Sequence, residues 1–318
     1  MSLTTDKKML ALSHDALQVF DNANGGIHAG FRPAHAKGIL LTGAFASSPE
    51  AVSLTRAPHI QRDSTPVTVR FSDFAGVPTV SDNDPQNASP RGCAIRFHLG
   101  QHVHTDIIAH SVDAFPSRTA EGLMDFINAL IRTDPAGPHP NAIERFLGAN
   151  PAALAFVQAP KPIPTSFARQ SFFAVSAFKF TSAAGVTQYG RYEVQPVAGD
   201  EYLDDREAAA KTPNFLFDEI EERLAKGAIK FRIVVQLAQE GDIVDDATVR
   251  WPKDRRRISF GEVSLTGIAP NNAGQQKQII FDPVPRVDGI EASSDPLFEV
   301  RANVYLISGR RRRAAEKE

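Results

Sequence analysis

An arginine and a tyrosine near the C-terminal end of the chain have the spacing of a helical pair. Arg301 and Tyr305 are four residues apart, so on a helix their side chains would share one face. A guanidinium one turn from a phenol can donate a hydrogen bond to the phenol oxygen and favour its ionised form. A phenolate is an anionic, electron-rich ligand suited to ferric iron. Spacing alone favours an amphipathic helix whose tyrosine packs in the core; a helix that binds iron through this tyrosine is the alternative.

A histidine near the N-terminus, and a serine downstream of it, could move a proton. The chain has nine histidines, and His35 stands out because it lies in the stretch RPAHAKG at residues 32–38. A histidine can accept a proton from one oxygen and return it to another near neutral pH. In the alternating stretch 65–72, Arg70 and Ser72 fall on the same face of a strand. That face points either inward, toward a buried cofactor, or outward, as the polar side of an edge strand.

The order of motifs along the chain resembles that of the haem catalase family. Arg301 follows Phe-Asp-Pro at 281–283, Gly-Ile-Glu at 289–291 and Ser-Asp-Pro at 294–296, as in the family's approach to its haem-ligating helix. The resemblance covers roughly residues 25–310 and is densest at its two ends. The family's long N-terminal arm and C-terminal helical domain have no counterpart here. The chain is therefore most similar to the small catalase-related peroxidase branch.

The resemblance implies roles for ten residues around haem b. It implies three catalytic residues on the distal side: His35, Ser72 and His110. It implies six residues that bind the cofactor: Arg32, Arg70, Arg301, Arg312, Phe115 and Leu123. It makes Tyr305 the ligand of the haem iron, as tyrosine is in catalases generally. Of these, His35 would transfer the peroxide proton, Ser72 would orient its ring, and three arginines (32, 70 and 312) would pair with the haem propionates.

Three positions depart from the family pattern. His110 stands where the family has an asparagine that donates a hydrogen bond to bound peroxide; a histidine can also donate, but it is larger and titrates near neutrality. Leu123 replaces an aromatic residue of the distal pocket. Ala34 replaces a bulkier valine before the distal histidine. The last two changes predict a wider entrance to the haem.

The function implied is a haem-dependent peroxidase that reduces organic hydroperoxides, hydrogen peroxide or both, through a ferryl intermediate and with an organic electron donor. A shorter chain with a wider entrance would let bulky donors approach the haem. The alternatives are a catalase that dismutates hydrogen peroxide, a fatty-acid hydroperoxide isomerase, and a haem-binding sensor without activity. Ala34 argues against the isomerase, because those relatives carry threonine at this position.

Composition narrows the class of protein. A hydrophobic content of 42% and a charged content of 23% are typical of a globular protein, and a net charge of -2 argues against nucleic acid or a membrane surface as a partner. No apolar run approaches the roughly 20 residues that span a bilayer. The N-terminus has no apolar signal core, so we expect a cytoplasmic protein, or a periplasmic one if a leader has been removed. The resemblance to the catalase family predicts a homo-oligomer, either a dimer or a tetramer.

The single cysteine, Cys93, excludes an internal disulfide; it is either a small buried residue or a thiolate haem ligand.

Periodicity predicts an α+β fold: an antiparallel sheet or barrel with helices packed around it. The resemblance makes this a catalase-type barrel in a single haem-binding domain over 1–318. The N-terminal helix is expected at about 8–22, the barrel at about 38–282 and the haem-ligating helix at about 295–309. The other predicted helices are 119–133, 141–157 and 204–225. The predicted strands are 65–72, 92–99, 171–181, 185–194, 228–238, 257–267 and 276–282.

Overall fold

The computed structural model describes residues 2–315, among which there are nine α-helices, one short 3-10 helix and ten strands. The helices are α1 (Lys7–Ala23), α2 (Pro49–Leu54), α3 (Ala120–Ile131), α4 (Ala142–Ala149), α5 (Pro151–Gln158), α6 (Asp205–Ala209), α7 (Phe215–Lys226), α8 (Asn272–Gln278) and α9 (Leu297–Ala314); the 3-10 helix is Phe167–Arg169. The strands are β1 (Gly38–Ser47), β2 (Thr65–Ser72), β3 (Gly92–Gly100), β4 (Val103–His110), β5 (Phe172–Phe173), β6 (Phe178–Thr181), β7 (Thr187–Pro196), β8 (Ile229–Leu237), β9 (Arg257–Ile268) and β10 (Ile290–Ala292).

Eight of these strands close into an antiparallel barrel. They follow one another as β1-β2-β3-β4-β5-β7-β8-β9, and β9 returns to pair with β1. Closure depends on β7, which pairs with β5 on one side and β8 on the other. Strand β6 also pairs with β7, and β10 pairs with β6. The predicted α+β class, with an antiparallel barrel and helices around it, is confirmed. No helix within residues 2–315 is both long and apolar enough to cross a membrane.

The alternation of β2 separates the inside of the barrel from its outer wall. Val67, Val69 and Phe71 belong to the aromatic-rich cluster that fills the barrel. Arg70 and Ser72 therefore lie on the outer wall, yet both are buried, because other elements cover this side. This face points away from the barrel interior but into the protein, so a buried cofactor site beside it would lie outside the barrel wall. Cys93 packs in the interior cluster, as a small buried residue.

The helix α9 lies over this outer wall, held by its neighbours α1 and α8. Arg311 forms an ion pair with Asp21 of α1 at 2.6 Å. Asn272, the first residue of α8, donates a side-chain hydrogen bond to the carbonyl of Leu40 in β1 at 2.7 Å and accepts one from its amide at 3.2 Å. Helix α8 thus connects α9 to β1, the strand that pairs with β2, which carries Arg70 and Ser72.

Four predicted elements are wrong in form. The strand predicted at 276–282 is helix α8 followed by a loop, because Asn272 and Gln276 need helical spacing to reach the backbone of β1. The strand predicted at 171–181 is two strands, β5 and β6, since only β5 also pairs with β4. Helix 141–157 is broken before Pro151, and helix 204–225 is broken around Pro213, because proline cannot continue the backbone hydrogen bonds of a helix.

Candidate functional site

His35 is held in an unusual backbone conformation at the edge of the outer wall. Its φ of 59° lies in the left-handed region, which costs a non-glycine residue about 1–3 kcal/mol. Three contacts stabilise it: its amide donates to the carbonyl of Phe74 at 2.6 Å, Arg70 Nη2 donates to its carbonyl at 2.9 Å, and its ring Nδ1 lies 3.1 Å from Ser72 Oγ. Backbone strain of this kind clusters at functional sites, which makes His35 a candidate functional residue.

A glycine makes room for the contact between His35 and Ser72. A Cβ atom at Gly92 would lie 2.6 Å from Ser72 Oγ and 2.9 Å from His35 Nδ1. In the barrel register, Gly92 is paired with Ser72 on one side and with His110 on the other. The three strands β2, β3 and β4 therefore bring the predicted catalytic residues His35, Ser72 and His110 to one patch of the outer wall.

His110 has one satisfied and one unsatisfied ring nitrogen. The amide of Val112 donates to Nδ1 at 3.4 Å, which requires a lone pair there and leaves the hydrogen on Nε2. Nε2 is buried and has no hydrogen-bond partner within residues 2–315. The ring of Phe115 lies 6.2 Å away, centroid to centroid. An unpaired buried N–H donor indicates a missing acceptor at this place.

Both histidines are neutral at ordinary pH. Burial, followed by the charge of Arg70, lowers the pKa of His35 to about 3, and burial, followed by the charge of Arg301, lowers the pKa of His110 to about 4. Each ring nonetheless keeps a partly accessible surface. The charge of Arg301 acts on His110, which places α9 beside this part of the barrel wall. We refer to the region bounded by the two histidines on the wall and by Arg301 and Tyr305 on α9 as the recess.

Tyr305 lies on α9, with Arg301 one turn before it. Arg301 Nη2 donates to the phenol oxygen of Tyr305 at 3.5 Å, as the four-residue spacing predicts. The phenol ring packs against a small cluster on the outer wall that includes Leu40 and Phe281. Arg32 is close enough for its charge to interact with Tyr305. Cys93 lies on the opposite, inner side of the wall, and burial raises the pKa of its thiol, so it is not placed to bind a metal beside Tyr305.

Three arginines meet between His35 and Tyr305: Arg70 and Arg312 are buried, and Arg32 is partly buried. Arg32 and Arg312 both donate to the carbonyl of Ile279, at 3.1 and 2.9 Å. Arg70 donates to the carbonyls of His35 and Ala36 and to the side chain of Gln276, and its charge interacts with that of Arg312. Burial lowers the pKa of all three, although arginine keeps its charge in proteins. Within residues 2–315, no carboxylate is among their hydrogen-bond acceptors.

These groups fit a haem. Neighbouring buried cations without carboxylate partners are costly unless an anion binds between them, and two propionates would supply that anion. Arg312 Nε is buried and unpaired within the described chain, as is His110 Nε2. Tyr305 would offer an oxygen ligand to the iron from α9. The structure thus brings together eight of the ten predicted residues directly, and Phe115 through its ring contact with His110. Leu123 packs instead with Phe126 and its neighbours on the helical side, and its role stays a prediction.

Sequence reasoning missed the residues that position the arginines. Gln276 of α8 accepts from Arg70 at 3.0 Å, and the Ile279 carbonyl accepts from two arginines. These contacts join residues 206 and 247 positions apart for Arg70 and Arg32, respectively. No local pattern indicates them, because a backbone carbonyl and a glutamine in a polar stretch carry no distinctive signal.

The sequence of this chain is similar to those of known proteins over most of its length. The family model described as "Catalase" matches residues 27–317. A protein named catalase-related peroxidase from Mycolicibacterium paratuberculosis is 32% identical over 296 residues, covering 92% of each chain. A protein of the same name from Synechococcus elongatus is 33% identical over 288 residues, covering 89% of this chain and 84% of that one.

Two solved structures share the fold. A fungal catalase matches with a TM-score of 0.77 at 22% identity, and catalase A from Saccharomyces cerevisiae matches with a TM-score of 0.76 at 20% identity. Both matches cover 90% of this chain but only 60% and 62% of the solved chains. The chain therefore spans less than two thirds of these catalases, although it covers most of the two peroxidase relatives.

Proposed function

Since the chain belongs to the catalase family, we propose that it is a haem b-dependent peroxidase that reduces organic hydroperoxides or hydrogen peroxide with an organic electron donor. The observation that carries the proposal is a group of three arginines between His35, a proton acceptor, and the phenol of Tyr305. Within residues 2–315, none of the three donates a hydrogen bond to a carboxylate. The two relatives that match along most of their length are named catalase-related peroxidases, which favours peroxidase over catalase. A single domain, a homo-oligomeric assembly and a cytoplasmic location belong to the same proposal.

In this proposal the protein supplies binding, orientation and proton transfer. When bound, haem would supply an iron centre that the peroxide oxidises. Tyr305 would hold the iron through its phenol oxygen, which Arg301 supports from one turn away. Ser72 Oγ contacts His35 Nδ1, so the opposite ring nitrogen, Nε2, is the one that would take a proton from one peroxide oxygen. His35 would return this proton to the other peroxide oxygen, which leaves as water or as an alcohol.

His110 acts in this scheme as a hydrogen-bond donor to the peroxide. The Val112 amide fixes the neutral tautomer with its hydrogen on Nε2, so the ring can donate but not compete with His35 for a proton. His110→Leu should slow the reaction with peroxide by about 10–100-fold, the effect of losing a hydrogen bond to a group that becomes charged. His110→Asn keeps an N–H donor and should retain most of the rate. Stopped-flow absorbance of the haem measures both, and a leucine variant as fast as wild type would contradict this role.

The choice between peroxidase and catalase is tested by comparing product formation. We expect the haem-loaded protein to oxidise guaiacol with cumene hydroperoxide or hydrogen peroxide faster than it releases dioxygen from hydrogen peroxide alone. Dioxygen release that exceeds donor oxidation would identify a catalase instead. Conversion of a lipid hydroperoxide to an epoxide or ketol without any donor would identify an isomerase.

A further inference from the structure

A cleft of about 400 Å³ opens on the outer wall beside α9, away from the distal histidine patch. Polar side chains of β3, of β4 and of the end of α9 line it, together with three aliphatic side chains, one of which is Val103 at the start of β4. The polar lining includes Arg96, His98, His104 and Arg313, and the other two aliphatic side chains are Ile280 and Leu306. A volume of this size holds a single aromatic ring with one polar substituent.

The cleft wall carries cations and hydrogen-bond donors, but no carboxylate among the described residues. Arg313 donates to the backbone carbonyl of Gln278 at 3.0 Å, an acceptor that carries no charge. Asp106 lies behind the wall, where both of its oxygens accept from Arg96, at 2.9 and 2.7 Å. His104 lies 3.7 Å from the same carboxylate. Within residues 2–315 there is no group of three ligating side chains close enough to hold a metal ion, so these histidines do not form a metal site.

Two residues of the cleft are chain neighbours of residues in the cluster that packs around Tyr305. Leu306 follows Tyr305 in α9, and Ile280 precedes Phe281, whose cluster packs against the Tyr305 ring. Arg96 donates to the carbonyl of Ile280, and its guanidinium lies 5.2 Å from the Phe281 ring centroid. A molecule bound in the cleft would thus contact Arg96, which lies against Phe281 in the cluster around the proposed iron ligand.

From this juxtaposition we propose that the cleft binds the electron donor and that the donor is a phenol carrying a carboxylate. The carboxylate would meet Arg313 and His104, and the ring would cover Ile280 and Leu306. This inference rests on the proposed peroxidase function and names its donor class. In the overall reaction two phenols each lose one electron and one proton. One hydroperoxide gains these two electrons and two protons, and its O–O bond breaks to give an alcohol and water.

The test compares 4-hydroxybenzoate with its neutral ethyl ester on the haem-loaded protein. Calorimetry without peroxide measures the Kd of each, and steady-state turnover measures the KM of each as a donor. Arg313→Gln should raise both constants about tenfold for the acid, as expected for the loss of one hydrogen bond to a charged group, and leave the ester unchanged. His104→Gln should act in the same direction. Arg310→Gln is the matched control, because Arg310 is an exposed arginine of the same helix outside the cleft.

Guaiacol oxidation, measured on the same preparations, separates the two proposals. If guaiacol is oxidised but neither variant changes the Kd of 4-hydroxybenzoate by more than about twofold, the donor site is wrong and the peroxidase function stands. An acid and an ester that respond alike to Arg313→Gln would also overturn the donor site. If no donor is oxidised with any peroxide, the peroxidase function fails, and the donor assignment fails with it.

Discussion

Replacing Tyr305 with phenylalanine is expected to remove the visible signature of tyrosine-ligated haem and to lower the peroxide reaction rate at least about a hundredfold. Substitution of outer partners of a metal ligand already costs about 10–100-fold, so loss of the ligating oxygen itself should cost more. Phenylalanine keeps the ring that packs against Leu40 and Phe281. The substitution removes the 3.5 Å hydrogen bond from Arg301, so the free energy of unfolding of the haem-free protein should fall by no more than about 1 kcal/mol.

The visible absorption spectrum of the haem-loaded variant measures the first effect, and urea unfolding of the haem-free variant measures the second. Tyr202→Phe provides a matched control, since Tyr202 is 41% exposed and lies outside the recess. That variant should keep the wild-type spectrum and rate. An unchanged spectrum in Tyr305→Phe would show that another residue binds the iron, or that the protein binds no haem.

Local patterns in the sequence predicted those parts of the fold that depend on one segment alone. The strand predicted at 65–72 is Thr65–Ser72, because the alternation of apolar and polar residues is typical of a strand. The burial of its polar face as well was not indicated by that alternation. The contact between Arg301 and Tyr305 follows from the i, i+4 spacing of a helix. Helical geometry also explains why the four arginines at 310–313 have different environments: Arg311 pairs with Asp21, Arg312 is buried, and the other two are exposed.

The parts of the fold that escaped prediction depend on contacts between distant segments. The burial of Arg70 on the outer wall requires α8, and α8 exists as a helix because Asn272 and Gln276 bind the backbone of β1. Its polar sequence has no periodicity that would favour a helix over a strand. The recess is likewise absent from any single stretch, since its two sides come from residues nearly three hundred positions apart. A family resemblance could therefore suggest its residues, whereas their spacing along the chain could not.

The replacement of His35 should separate proton transfer from haem binding. The variant must respect the left-handed backbone of residue 35, and asparagine tolerates a φ of 59° better than alanine does. His35→Asn removes the proton acceptor while Tyr305 and the three arginines remain. We therefore expect the haem spectrum to persist and the peroxide rate to fall by about 10²–10⁴-fold, the usual contribution of a general base.

The pH dependence gives this prediction a second, independent test. Burial and the charge of Arg70 lower the pKa of His35 to about 3, so the ring is in its proton-accepting form at every pH above about 4. The wild-type rate with peroxide should then be constant between about pH 5 and pH 8, rather than fall near the ordinary histidine pKa of about 6.5. His102→Asn is the matched control, since the exposed His102 has a similar φ of 61°, and it should keep the wild-type peroxide rate and stability. A rate that halves near pH 6.5 and is unaffected by His35→Asn would assign the proton transfer to another group.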